Sequence, residues 1–204
     1  MIKTVILDWG GVLIDQPLDA LIEYCAESLG IKTNSLKNVF SEDVPMFREF
    51  QKGTILEKSL WKKICGKLKI NEPSSKSLWK EAVSSVFRDK KGVYRLIENL
   101  KKNGYKIAFL SNTEIPAMEY FYENKYEKYF DIIVFSCAEK ISKPDSRIYH
   151  IILDKLQNKP KETIFIDNNL ENVEGAIRVG MHGILFESLQ QLKENLIKFQ
   201  IKIK

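Results

Sequence analysis

Residues 3–15 read KTVILDWGGVLID, and the fold follows from how that stretch is built. Val5, Ile6 and Leu7 form an unbroken apolar run that stops at Asp8, and Gly10 and Gly11 follow at once. A strand half-exposed to water alternates apolar with polar residues. A run apolar at every position and closed by glycines is the pattern of a strand buried on both faces, inside a parallel sheet. The residue at its exit is a carboxylate, and a carboxylate at the end of an interior strand asks for a reason.

The chain beyond it changes rhythm twice. Residues 15–90 contain no convincing strand and four helical patterns. Leu18, Leu21, Ile22, Cys25 and Leu29 share one face before Gly30. Leu36, Val39 and Phe40 begin a second stripe, resumed by Phe47 and Phe50 beyond Pro45, which should break or kink it. Leu56, Leu60, Trp61, Ile64 and Leu68 make a third, and Thr54 with Glu57 has the spacing of a capping box at its start. Leu78, Trp79, Ala82, Val83, Val86 and Phe87 make the fourth. Four amphipathic helices with short joints predict a small helical bundle.

After Gly92 helices and strands alternate. Strands are expected within YKIAFLSNT (105–113), DIIVFS (131–136), ETIFIDNN (162–169) and HGILFE (182–187). Helices are expected over 93–102, 115–130, 146–157, 171–180 and 188–199. Repeated βα units imply an α/β fold, a doubly wound parallel sheet with helices on both faces. Residues 1–14 and 91–204 would form this core, with the helical segment 15–90 inserted after the first strand as a cap.

Composition limits the functions available. The 204 residues are 44% hydrophobic and 29% charged, ordinary for a folded globular chain. The apolar runs are too short to span a bilayer and no cleavable leader is recognisable, so the cytosol is expected. Cys25, Cys65 and Cys137 are scattered without metal-ligand spacing and read as buried thiols in a reducing compartment. His150 and His182 are the only histidines, too few for a zinc site or a histidine triad. The net charge of +5 suits a small anionic ligand, and no cluster of basic residues with interleaved aromatics points to nucleic acid.

In an open parallel sheet, ligands bind beyond the carboxyl ends of the strands. The residues expected there are Asp8, then Ser111-Asn112-Thr113, then Lys143 in the loop after the third strand, then Asp167-Asn168-Asn169. Singly each could be a cap or a turn. As an ordered set they make chemical sense around a phosphoryl group. A carboxylate can attack phosphorus and split one displacement into two. Backbone N–H groups of a glycine-rich turn and a hydroxyl can hold phosphate oxygens. An ammonium offsets their charge, and Mg²⁺ held by Asp8 and the strand-four acid would offset it further.

VILDWGGVL, FLSNT, SKPDSRIY and FIDNNLENVEGA resemble, in order and spacing, the four motifs of the haloacid dehalogenase superfamily. The resemblance spans the whole chain, with 15–90 in the place of that family's helical cap, and is greatest to its capped small-molecule phosphatases. It implies a Mg²⁺-dependent phosphatase acting on a small phosphorylated metabolite. Asp8 would be the nucleophile, with Ser111 and Lys143 on the phosphoryl group and Trp9, Gly10, Gly11 and Asn112 around it. Asp8, the Gly10 carbonyl, Asp167 and Asn168 would hold the metal. Two positions depart from the family pattern. Gly10 stands where a second Asp usually serves as general acid and base, a role worth roughly 10²–10⁴-fold in rate. Asn168 stands where a second acid is usual, which removes a negative charge from a hard-cation site unless Asp167 or Glu171 compensates. Two other readings follow from these departures, a metal-free 2-haloacid dehalogenase and a phosphate-binding regulatory protein. Arg48 and Trp79 are the cap residues proposed to face the substrate.

Overall fold

The computed structural model describes residues 1–15, 18–42 and 44–203. Five strands, β1 (Thr4–Leu7), β2 (Lys106–Ser111), β3 (Ile132–Phe135), β4 (Thr163–Asp167) and β5 (His182–Leu185), form one parallel sheet in the order β3-β2-β1-β4-β5. The sequence's unbroken apolar run is thus the central strand. Leu7 lies opposite Phe109 on one side and Ile166 on the other. The chain order reverses on either side of β1, so the crevice at its carboxyl end is the topological switch point.

Side chains alternate across a strand, and here both faces are covered. Ile6, Ala108, Leu110 and Phe165 pack in one core with Ile148, Tyr149 and Ile152 of α9 (Ser146–Leu156) and Ala176 of α10 (Leu170–Arg178). Val5, Leu7, Ile107, Phe109 and Ile166 face the other core, with residues of α6 (Lys91–Lys102), α7 (Ile115–Glu123) and α11 (Leu189–Lys198). The fold is therefore the doubly wound α/β sheet expected from the βα rhythm.

Between β1 and α6 lie α1 (Leu18–Ser28), α2 (Thr33–Glu42), α3 (Val44–Gln51), α4 (Glu57–Leu68) and α5 (Leu78–Val86). The chain leaves the core and returns to it side by side. Asp15 N donates to Arg88 O at 3.1 Å, and Lys90 N donates to Leu13 O at 2.8 Å. Among the described residues the second stripe falls on α2 and α3, with Pro45 near the start of α3, where a missing N–H costs little.

The capping box also fails. The residue before α4 is Leu56, which makes no side-chain cap. Thr54 Oγ1 instead donates to Glu49, and Glu57 accepts from Trp61 Nε1 (2.9 Å), Ser77 Oγ (2.5 Å) and Trp79 N (2.7 Å). Its carboxylate satisfies the start of α5 rather than its own helix. The helix expected over 115–130 stops at Glu123 and resumes as a 3-10 turn over Tyr126–Tyr129, separated by Lys125 with φ 58°. A further short helix, α8 (Ser136–Glu139), follows β3 directly.

Candidate active site

Three charged side chains meet below the carboxyl end of the sheet. Asp8 leaves β1 with its N–H donated to Ile166 O at 2.9 Å, which aligns it with the exit of β4. Lys143 reaches in from the loop after α8. Its Nζ lies 2.8 Å from Asp8 Oδ1, 2.6 Å from Asp167 Oδ2 and 3.0 Å from Leu110 O. The Lys143 and Asp167 side chains are each 1% exposed, and that of Asp8 is 11% exposed, the one of the three still reachable.

The electrostatics follow from this burial. Loss of water works to strip the Lys143 proton, but the carboxylates of Asp167 and Asp8 outweigh it and hold the ammonium above its usual range. Asp8 is pushed up, because burial together with the nearby Asp167 exceeds the pull of Lys143. Asp167 is engaged on all sides. Besides Lys143, it accepts from Asn169 N at Oδ1 (2.8 Å) and from Asn172 Nδ2 at Oδ2 (3.0 Å). It anchors the lysine, leaving Asp8 the more exposed of the two carboxylates that touch it.

That cavity, of about 580 Å³, is lined by Asp8, Trp9, Gly10, Ser111, Asn112, Lys143, Asp167 and Asn168 of the residues expected at the site. Trp79 also lines it. The structure gathers these from four strand ends and the helical insertion. Asn112 has a further task, since its side chain binds the Lys143 backbone at both N and O. Trp9 borders the cavity, yet its ring belongs to the core, edge-on to Phe87 (5.1 Å) and Phe121 (5.3 Å). Gly11 is not among the lining residues. Its φ of 79° turns the chain, and its carbonyl accepts from Lys90 Nζ at 2.7 Å. Arg48 and Glu171 border a neighbouring cavity of about 320 Å³ rather than this one.

Residues that the sequence reading missed complete the wall: Gln51, Asn172 and above all Glu114. Glu114 occupies the N-cap position of α7 without capping it, and only 7% of it is exposed. Its Oε2 accepts from Trp79 Nε1 at 3.3 Å. Burial pushes its carboxyl up to about 7, against hydrogen bonds from its own backbone, Trp79 and Gln51. A signal was present, because glutamate is a poor N-cap where Ser, Thr, Asp or Asn would be expected.

The oxygen donors fit a hard cation. Asp8, Gly10 and Asn168 all border the same space and supply oxygen only, as Mg²⁺ prefers, and Mg²⁺ keeps several waters rather than needing a full protein cage. With Asp167 committed to Lys143, the set carries little net negative charge. The cysteines stand apart from this chemistry. All three are buried and unpaired, and burial raises the thiols of Cys25, Cys65 and Cys137.

A central strand ending in a buried carboxylate, a lysine tying it to the β4 acid and a helical insertion before α6 sit on a doubly wound parallel α/β sheet. The model of the haloacid dehalogenase-like hydrolases matches residues 2–180, and the chain belongs to that family. It is 28% identical over 201 residues to the sesquiterpene phosphatase astK of Aspergillus oryzae, covering 94% of each chain. It is 30% identical over 106 residues to the phosphorylated carbohydrates phosphatase of Thermotoga maritima, covering 52% of this chain and 49% of that one. Among solved structures, a HAD family enzyme of Bacteroides thetaiotaomicron in complex with magnesium and inorganic phosphate has a TM-score of 0.74 at 24% identity, covering 94% of this chain and 99% of that one. The L-2-haloacid dehalogenase of Xanthobacter autotrophicus has a TM-score of 0.66 at 19% identity, covering 99% and 85%.

Proposed function

We propose that this hydrolase is a Mg²⁺-dependent phosphatase of a small phosphorylated metabolite, working through an aspartyl-phosphate on Asp8. The observation that carries the reading is the Lys143 ammonium held 2.8 Å from Asp8 and fixed from behind by Asp167. It places a positive charge beside the attacking oxygen and beside the phosphoryl oxygens that gain charge as attack proceeds. That charge is already in place, so no reorganisation is needed at the moment of reaction.

Asp8 attacks phosphorus as the P–O ester bond breaks, and the oxygen of the leaving group keeps the electron pair and takes a proton from water. A second water then attacks the phosphorus of the acyl phosphate, releasing inorganic phosphate and returning Asp8. Ser111 and the backbone N–H groups after Asp8 hold the phosphoryl oxygens. Asp8, the Gly10 carbonyl and Asn168 would hold Mg²⁺, which when bound neutralises charge between carboxylate and phosphate. The helical insertion serves as the cap that shields the cavity and selects substrate. Phosphatases among the relatives, and the magnesium and phosphate in the Bacteroides enzyme, support this reading. No helix of the described residues is long and apolar enough to cross a membrane, and three buried thiols suit a cytosolic protein.

Turnover of p-nitrophenyl phosphate tests it. Release should require Mg²⁺ and vanish in Asp8→Asn, which keeps the Lys143 hydrogen bond and hence the fold. Chloride release from 2-chloropropionate without metal, with p-nitrophenyl phosphate untouched, would move the assignment to displacement at carbon.

A further inference from the structure

The Asp8 cavity has two unlike ends. Toward the sheet it is polar, with Asp8, Ser111, Asn112 and Lys143. The described lining from the helical insertion is Leu18, Leu21, Phe47, Gln51, Trp79 and Phe87, five apolar side chains and one amide. A polyhydroxylated leaving group would find few partners along that side, Gln51 and the adjoining Glu114, and each hydroxyl left unpaired is penalised. A hydrocarbon leaving group would gain by burial against the same wall.

Glu114, at the start of α7, adjoins that wall. A carboxyl group buried against tryptophan is costly unless it is used, and among the described residues it neither caps α7 nor pairs with a cation. Trp79 and Gln51 reach it from α5 and α3. A carboxylate has about four lone-pair sites, more than these two side chains take.

We propose that the leaving group is a mainly hydrocarbon alcohol bearing one hydroxyl beyond the phosphate ester, and that Glu114 accepts that hydroxyl. The inference rests on the reading that the Asp8 end of the cavity takes the phosphoryl group, and it names the substrate class for that site. Glu114 is then a specificity residue, set between the apolar wall and the sheet edge.

Phosphonates, which cannot be hydrolysed, test it by calorimetry on the whole protein with Mg²⁺ present. Octylphosphonate should bind at least tenfold tighter than methylphosphonate. Of octylphosphonates hydroxylated at carbon 4, 6 or 8, at least one should bind threefold or more tighter again. That hydroxyl gain should shrink in Glu114→Gln, which keeps an acceptor for Trp79 but loses one of the two oxygens, and disappear in Glu114→Asp, which keeps the carboxyl but withdraws it. Octylphosphonate no tighter than methylphosphonate overturns the hydrocarbon assignment. A hydroxyl gain undiminished in both variants overturns the role of Glu114 and leaves it a latch between α5 and α7. The phosphatase reading fails separately, if wild-type protein binds the phosphonates in the expected order yet releases no p-nitrophenol with Mg²⁺.

Discussion

Asn112 and Lys143 hold each other by two reciprocal hydrogen bonds. Asn112 Nδ2 donates to Lys143 O at 3.0 Å, and Lys143 N donates to Asn112 Oδ1 at 2.9 Å. The lysine comes from a loop, and loops are mobile unless tied down. This clasp transfers the rigidity of β2 to the cation beside Asp8. In Asn112→Ala both bonds are lost, and stability should fall by about 1–2 kcal/mol. Turnover should fall further, by about tenfold to a hundredfold, because a displaced charge no longer meets the phosphoryl oxygens. Melting curves and p-nitrophenyl phosphate kinetics on the same preparation check both. An activity loss no larger than the unfolded fraction explains would count against the positioning role.

Lys143→Met removes the ammonium and leaves Asp8 and Asp167 facing each other in a buried space. Breaking a buried ion pair from one side costs about 3–5 kcal/mol, and a loss of that order is expected at neutral pH. The gap should narrow in acid. Burial already pushes Asp8 up with Lys143 present, and without the ammonium its folded state binds a proton more tightly still. Protonation then favours the folded variant relative to wild type as pH falls. Denaturant titrations at pH 5 and pH 7.5 measure this, and a gap independent of pH would contradict the charge argument.

Asn168→Asp restores a formal charge to a donor set in which Asp167 is already tied to Lys143. Affinity for a hard cation rises with ligand charge. The Mg²⁺ concentration giving half-maximal activity should therefore fall severalfold, with little change in melting temperature without metal. An unchanged Mg²⁺ requirement would remove Asn168 from the proposed ligand set.

The legible part of this protein is the part where backbone pattern and chemistry coincide. Val5-Ile6-Leu7 could be placed in mid-sheet because only a strand buried on both faces dispenses with polar residues. The strand-end polar residues could then be placed together because topology sends every parallel strand to the same edge. What stayed hidden depended on side-chain partners distant in sequence. Glu57 matched a capping box by spacing, but Ser77 and Trp79, some twenty residues on, compete for its carboxylate and win. The partners of Asp167, which are Asn169, Asn172 and Lys143, are likewise not announced by any local spacing. Glu114 drew no reading from the sequence, because its burial comes from Trp79 on a helix whose docking no local pattern predicts.

Glu114 also makes a prediction about stability that needs no substrate. Its carboxyl titrates at about 7 when folded and, at its ordinary value of 4.5, when unfolded. Between those values the folded state holds a proton that the unfolded state has released, so the folded state binds more protons and stability falls as pH rises. The contribution is flat below the unfolded value, declines through the window and is flat again above about 7. One pKa unit corresponds to about 1.4 kcal/mol, so the full decline is on the order of 3 kcal/mol. Glu114→Gln cannot ionise and keeps an acceptor for Trp79 Nε1, so it should escape that decline. Denaturant unfolding of both proteins from pH 4 to pH 8 should show the variant gaining on wild type across the window. Parallel curves would mean that Glu114 ionises in the folded protein as it does in water, and the carboxyl would then have to be solvated by an opening of the wall between α5 and α7.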